Sequence, residues 1–201
     1  YYESIKMSLD FLTDDLLIKN NSFDGPVVVT GAGGCIAAWV LTILHRSHIP
    51  CIAIDLTDNK NRLELLLGNE TNKIDWKVCD ITHLEKLSKI ITSYKPSAII
   101  HLAGLQVPFC AENPALGARV NVEGTINILE IARKTNIKRT VYASSVAALG
   151  LPPNGPWKET LYGAYKLANE HTAFVYWLDW QVPSIGIRPN IVYGLSLIHI
   201  S

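Results

Sequence analysis

The chain has 201 residues, 18 Lys+Arg balanced by 18 Asp+Glu, 48% hydrophobic residues, 13 Gly, 10 Pro and 4 Cys. That composition supports one sizeable core and excludes a disordered, collagen-like or disulfide-stapled chain. Neutrality without a basic stripe excludes a nucleic-acid surface and an anionic-membrane patch.

Taken in chain order, residues 1–24 carry Leu9, Leu12, Leu16 and Leu17 at helical spacing and read as an N-terminal arm or short helix. The first fifteen residues are acidic and lack an apolar signal core, so a cytoplasmic chain is expected. Residues 25–45 hold no Asp, Glu, Lys or Arg, about the length of a bilayer span. A β-branched run, Val27-Val28-Val29-Thr30, followed by the breaker Gly31-Ala32-Gly33-Gly34, divides that stretch and argues against a span. Cys35, Cys51, Cys79 and Cys110 lie far apart, offer no metal-chelating pair, and read as small apolar residues in a reducing compartment.

Strands are predicted at 27–30, 51–55, 75–79, 98–102, 139–144 and 184–188, and helices at 36–46, 59–67, 84–94, 115–135 and 162–180. Nearly all-apolar runs such as Ala98-Ile99-Ile100-His101-Leu102 suit strands buried on both faces. Six strands joined by five crossovers define an α/β fold with a doubly wound parallel sheet, Rossmann-like, over residues 25–194. The stretch 152–156, Pro-Pro-Asn-Gly-Pro, is a loop. The last seven residues, LSLIHIS, resemble the translation of a transposase mosaic-end adapter and are set apart as a non-native tail.

Thr30-Gly31-Ala32-Gly33-Gly34-Cys35-Ile36-Ala37 stands between a strand and a helix. Gly31 permits the tight turn, Gly34 lets a pyrophosphate approach the backbone, and the small Ala37 lets helix and strand pack closely. Asp55 ends the second strand 21 residues after Gly34, where a carboxylate can hydrogen-bond the hydroxyls of an adenosine ribose. A carboxylate repels a 2′-phosphate, and the following Leu56-Thr57 supplies no arginine to receive one, so NAD is expected over NADP.

These residues, with Asp80-Ile81, His101-Leu102-Ala103-Gly104, Asn121-x-x-Gly124-Thr125, Ala143-Ser144-Ser145, Tyr162-x-x-x-Lys166 and Arg188-Pro189, resemble the extended short-chain dehydrogenase/reductase family. Within it, the NAD-dependent epimerase/dehydratase group is the nearest likeness. Two positions depart from the pattern: Ala37 replaces the third glycine, and Leu149 stands where many sugar-nucleotide epimerases carry an aromatic residue. The resemblance implies NAD as cofactor, with Gly31, Gly34, Cys35, Ile36 and Asp55 on its adenosine and pyrophosphate half. It assigns Asp80 and Ile81 to the adenine pocket, Leu102, Ala103 and Gly104 to the wall beside the cofactor, and Asn121 to the nicotinamide half. A helix N-cap is the rival role for Asp80. His101 reads as a hydrogen-bonded core histidine.

Tyr162 and Lys166, four residues apart, share one helix face. A phenol of pKa about 10 is a poor base at neutral pH, and a nearby cation favours its ionised form. Tyr162 is thus the expected base, Lys166 its activator and a holder of the cofactor ribose, and Ser145 the hydrogen-bond donor to the substrate oxygen. Ser144 and Tyr165 are the weaker rivals for these roles. The implied substrate is a small molecule, a sugar or sugar nucleotide, shaped by a further C-terminal region, with a homodimer as the possible assembly. Two other readings stay open: a dehydrogenase of a sugar acid or other secondary alcohol, and a nicotinamide-binding module without turnover.

Overall fold

The computed structural model describes residues 15–19, 23–150 and 159–192. Six parallel strands, β1 (Val27–Thr30), β2 (Cys51–Asp55), β3 (Asp75–Val78), β4 (Ala98–His101), β5 (Thr140–Ala143) and β6 (Ser184–Ile187), pair in the order β3-β2-β1-β4-β5-β6. This is the doubly wound Rossmann-like sheet expected from the sequence, with its order reversing between β1 and β4. Helices α1 (Cys35–Arg46), α2 (Asn61–Leu67), α3 (Leu84–Tyr94), α6 (Gly124–Thr135) and α7 (Leu161–Trp180) lie between successive strands. Two shorter ones, α4 (Val107–Glu112) and α5 (Pro114–Ala118), follow β4.

The apolar runs are explained by burial on both faces. Val28, Ile52, Ile54 and Ile99 join one core with Leu87 and Ile91 of α3, Ile128 and Ile131 of α6, and Ala173 and Tyr176 of α7. Their strand neighbours Val27, Val29, Ala53 and Ala98 face the other way, into Leu41 and Leu44 of α1 and Leu63 and Leu66 of α2. Successive strand residues point to opposite faces, so two apolar layers demand a continuous apolar run.

The single helix expected over 115–135 is broken into α5, a π-helical turn at Arg119–Glu123 and α6. Such turns insert an extra residue per hydrogen-bonded ring and cluster at functional sites. Here the turn swings Asn121 beneath the loop after β4. Helix α4 is not among the helices expected from the sequence, because a six-residue helix with Pro108 in its first turn leaves no periodicity to detect.

The segment expected as an arm or helix is non-helical over residues 15–19, where Ile18 N–H donates to Ser47 Oγ at 2.9 Å. The remainder expected there, the loop at 152–156 and the tail at 195–201 lie outside the described residues. Residues 25–45 form β1, the turn and α1, and among the described residues no helix is long and apolar enough to cross a membrane. All four cysteines carry free thiols. Cys79 and Cys110 are buried, and Cys35 and Cys51 partly so.

Candidate active site

One cleft of about 840 Å³ crosses the carboxyl ends of the strands. Its walls are the segments that leave β1, β2, β3, β4, β5 and β6, which is where open α/β sheets bind ligands. Gly31, Gly34, Cys35, Ile36, Asp55, Asp80, Ile81, Leu102, Ala103, Gly104, Ser145, Tyr162 and Lys166 all line it. Of the residues assigned from the sequence to the catalytic group or the cofactor, Asn121 alone does not.

Gly31 has φ +71°, a backbone state that favours glycine, and a Cβ there would lie 2.6 Å from Ala103 N and 2.8 Å from the Leu102 carbonyl carbon. The turn can therefore sit against the β4 wall only without a side chain. Gly34 is the N-cap of the twelve-residue α1, so backbone N–H groups of the first helical turn open onto the cleft. Asp55 Oδ2 accepts the N–H of Gly33 at 2.9 Å, tying the end of β2 to the turn. A dinucleotide fits this set: a bare backbone cradle, a helix N-terminus for the pyrophosphate, and a carboxylate at the adenosine edge.

Asp80 Oδ1 accepts from both the N–H and the hydroxyl of Thr82, at 2.9 and 2.8 Å. Its side chain closes a local turn rather than capping α3, whose N-cap is His83. Ile81 is buried under the π turn, where a Cβ on Gly124 would lie 2.5 Å from Ile81 Cδ1.

Asn121 is 1% exposed, and its amide is engaged inside the wall. Its Oδ1 accepts from Leu105 N at 3.0 Å, and its Nδ2 donates to the Leu105 carbonyl at 3.0 Å and to Cys110 Sγ at 3.2 Å. Through those bonds Asn121 braces the 102–106 wall from behind.

At the other end, Thr160 Oγ1 caps α7 by accepting Gly163 N–H at 3.0 Å. A Cβ on Gly163 would lie 2.5 Å from the Ala147 carbonyl oxygen, so glycine lets α7 dock directly on the turn that follows Ser145. This approach brings Tyr162 within hydrogen-bonding reach of the Ser145 hydroxyl. Lys166, one turn along, is 4% exposed, donates from Nζ to the Ala143 carbonyl at 2.7 Å, and holds Nζ 5.5 Å from the centroid of the Tyr162 ring.

The electrostatics differ from the simple expectation that Lys166 acidifies the phenol. Burial pushes the Tyr162 phenol above its ordinary value of 10, opposed by the hydrogen bond from Ser145. Burial also lowers Lys166 from 10.5 to about 8, so this ammonium is held at a cost and is poised to lose its charge just above neutrality.

The rivals have other work. Ser144 bonds Glu170, which also accepts Arg188 Nε at 2.7 Å, joining β5, α7 and the end of β6. Tyr165 donates its hydroxyl to the Pro114 carbonyl at 2.9 Å. His101 is the core histidine expected: Nδ1 pairs with Thr30 Oγ1 at 2.7 Å and Nε2 with Thr125 Oγ1 at 3.2 Å.

Burial, assisted by the charge of Lys166, drives His101 from 6.5 to about 3. Between those values the unfolded chain binds a proton that the folded chain refuses, so stability is complete above pH 6.5 and falls as pH drops toward 3. A series of urea melts should show this fall, and His101→Gln should flatten it. An equal slope in the variant would remove His101 as the cause.

Sequence reasoning missed several lining residues: Arg62, Cys79, Gln106 to Pro108, and Asn190 to Val192. Arg62 sits in the first turn of α2, seven residues after Asp55, and no local pattern marks it as a cleft residue. Arg62 Nη1 donates to the Gly33 carbonyl at 2.8 Å.

The doubly wound sheet thus gathers a glycine turn, an acidic β2 end and a Ser-Tyr-Lys group in one cleft. A model of the NAD dependent epimerase/dehydratase family matches residues 27–199, and the chain belongs to that family. Among curated relatives, UDP-glucose 4-epimerase 2 of Oryza sativa subsp. japonica is 29% identical over 72% of this chain and 38% of its own length. The UDP-glucose 4-epimerase of Mycolicibacterium smegmatis is 28% identical over 83% of this chain and 56% of its own. Among solved structures, L-threonine dehydrogenase from Clostridium difficile has a TM-score of 0.68 and 26% identity, covering 82% of this chain and 52% of that one. UDP-glucose 4-epimerase from Brucella ovis in complex with NAD has a TM-score of 0.70 and 25% identity, covering 82% and 51%. The chain thus spans about half the length of the solved structures it matches.

Proposed function

We propose that the full-length protein oxidises a secondary hydroxyl of a sugar or sugar nucleotide and restores it in an epimerase or dehydratase cycle. The observation that carries this reading is the meeting of Ser145, Tyr162 and Lys166 in the same cleft as the glycine turn and Asp55. NAD, held by the turn and Asp55, supplies the hydride acceptor, and Asp55 sets the preference over NADP. The phenolate oxygen of Tyr162 takes the hydroxyl proton as the adjoining carbon gives up hydride, so that the alcohol loses both and becomes a carbonyl. Ser145 donates a hydrogen bond to the same oxygen, and Lys166 stabilises the ionised phenol.

The proposal includes a cytoplasmic homodimer. Leu167, Phe174 and Leu178 are exposed at spacings of seven and four along α7, which supports a helix-to-helix contact between two copies.

A second reading, net oxidation of a small secondary alcohol with release of NADH, draws support from the likeness to an L-threonine dehydrogenase. A module that only binds nicotinamide has no use for a proton-transfer group. Incubating full-length protein and NAD with UDP-glucose, sugar acids and L-threonine, while following NADH absorbance and products, separates the three. The proposal predicts an altered nucleotide sugar without stoichiometric NADH. Stoichiometric NADH would decide for the dehydrogenase, and no product from any of them for the binding module.

A further inference from the structure

Tyr162, Lys166 and Glu170, spaced by four along α7, engage the last residue of β5 and the two that follow it. That spacing keeps all three on one side of the helix. Tyr162 meets the Ser145 hydroxyl, Lys166 Nζ donates to the Ala143 carbonyl at 2.7 Å, and Glu170 bonds the Ser144 hydroxyl. Tyr162 and Lys166 carry the proposed proton transfer, and Glu170 takes no direct part in it.

Glu170 also grips the neighbouring strand end. Its two oxygens accept Arg188 Nε at 2.7 Å and Nη2 at 2.5 Å, a paired contact that fixes angle as well as distance. Arg188 lies between Ile187 and Pro189, whose carbonyls accept the N–H groups of Ser144 at 2.8 Å and Val146 at 3.2 Å. Those two residues flank Ser145, so the carboxylate ties together, through side chains, the segments that the backbone joins on either side of that serine.

Arg188 holds the Glu170 carboxyl below its ordinary value against the opposing effect of burial, so the group is ionised at neutral pH and can only accept. Ser144, 1% exposed, is therefore the donor, and its hydroxyl is committed. Ser145 Oγ accepts the Ala147 N–H at 3.2 Å, which leaves its own proton for the phenol or the substrate oxygen.

We propose that Glu170 is a positioning residue for the reaction: it holds Ser144 and Arg188 together and so fixes the Ser145 hydroxyl where it meets Tyr162 and the substrate oxygen. The inference rests on the reading of Ser145 and Tyr162 as the reacting pair.

The test uses full-length protein carrying Ser144→Ala, Glu170→Ala or both. Glu130→Gln serves as the control for loss of an ion pair elsewhere, since Glu130 joins Tyr176 of α7 to Arg133 of α6. In each protein the Tyr162 phenol is titrated by ultraviolet difference against the matching Tyr162→Phe variant at saturating NAD, while calorimetry gives NAD affinity and thermal melting reports folding. Loosening Ser145 takes a hydrogen bond from the ionised phenol, so Ser144→Ala and Glu170→Ala should each titrate about one to two units above wild type. NAD affinity should be unchanged. The two shifts should not add, because both substitutions release the same strand end. Glu130→Gln should lower the thermal midpoint and leave the phenol where it was.

Should Glu170→Ala fail to fold, Ser144→Ala decides. A phenol that titrates as in wild type in either folded variant overturns the inference and leaves Tyr162 as the base. An equal shift in Glu130→Gln would make the effect one of general stability and overturn it too. A wild-type phenol that NAD does not lower takes down the reading of Tyr162, and this inference with it.

Discussion

Tyr162→Phe in the full-length protein is expected to lower turnover about 10²–10⁴-fold, the usual contribution of a positioned general base. The substitution removes one oxygen and keeps the ring that lies beside Lys166 Nζ. The α7 cap at Thr160 and the docking of Gly163 on Ala147 are untouched, so the fold and NAD affinity should be unchanged. The loss should appear equally in kcat and kcat/KM, because the proton moves only in the transition state. Full turnover in the Phe variant would remove Tyr162 from the chemistry and favour the binding-module reading.

Gly31→Ala should damage both the fold and the cofactor cleft. Its φ of +71° costs an alanine about 1–2 kcal/mol, and the new Cβ would lie 2.6 Å from the Ala103 backbone nitrogen. Backbone cannot swing aside as a flexible side chain can, so either the glycine turn or the β4 wall must move. Both flank the cofactor cleft, and NAD affinity should fall at least about tenfold, equivalent to 1.4 kcal/mol. The thermal midpoint should drop by about 4–8 °C for a loss near 2 kcal/mol in a domain of this size. Calorimetry and thermal melting measure the two effects, and wild-type values for both would refute the close approach of Gly31 to Ala103.

Burial on two faces left an unmistakable trace in runs such as Val27-Val28-Val29-Thr30, which is why the strands and their order of appearance could be read directly. The glycine turn and the four-residue spacing of Tyr162 and Lys166 were equally legible, because each follows from local geometry. Three features were not. Asn121 occupies a helix-like stretch of sequence, and only the contact between Gly124 and Ile81 and the pull of Leu105 reveal that the helix changes pitch there. Arg62 reaches Gly33 across 29 positions of sequence, beyond any local pattern. The direction of the Tyr162 shift depends on how deeply Tyr162 and Lys166 are buried, and the four-residue spacing says nothing of depth.

That last feature places the strongest demand on the proposed chemistry: a phenol raised by burial must still ionise when the site works. Ultraviolet difference titration of the phenol, wild type minus Tyr162→Phe, measures this with and without saturating oxidised NAD. The proposal predicts a Tyr162 pKa above 10 in the protein alone and a fall of several units, toward neutrality, once the positively charged nicotinamide is bound. A phenol that titrates at or above 10 with NAD in place would contradict Tyr162 as the base.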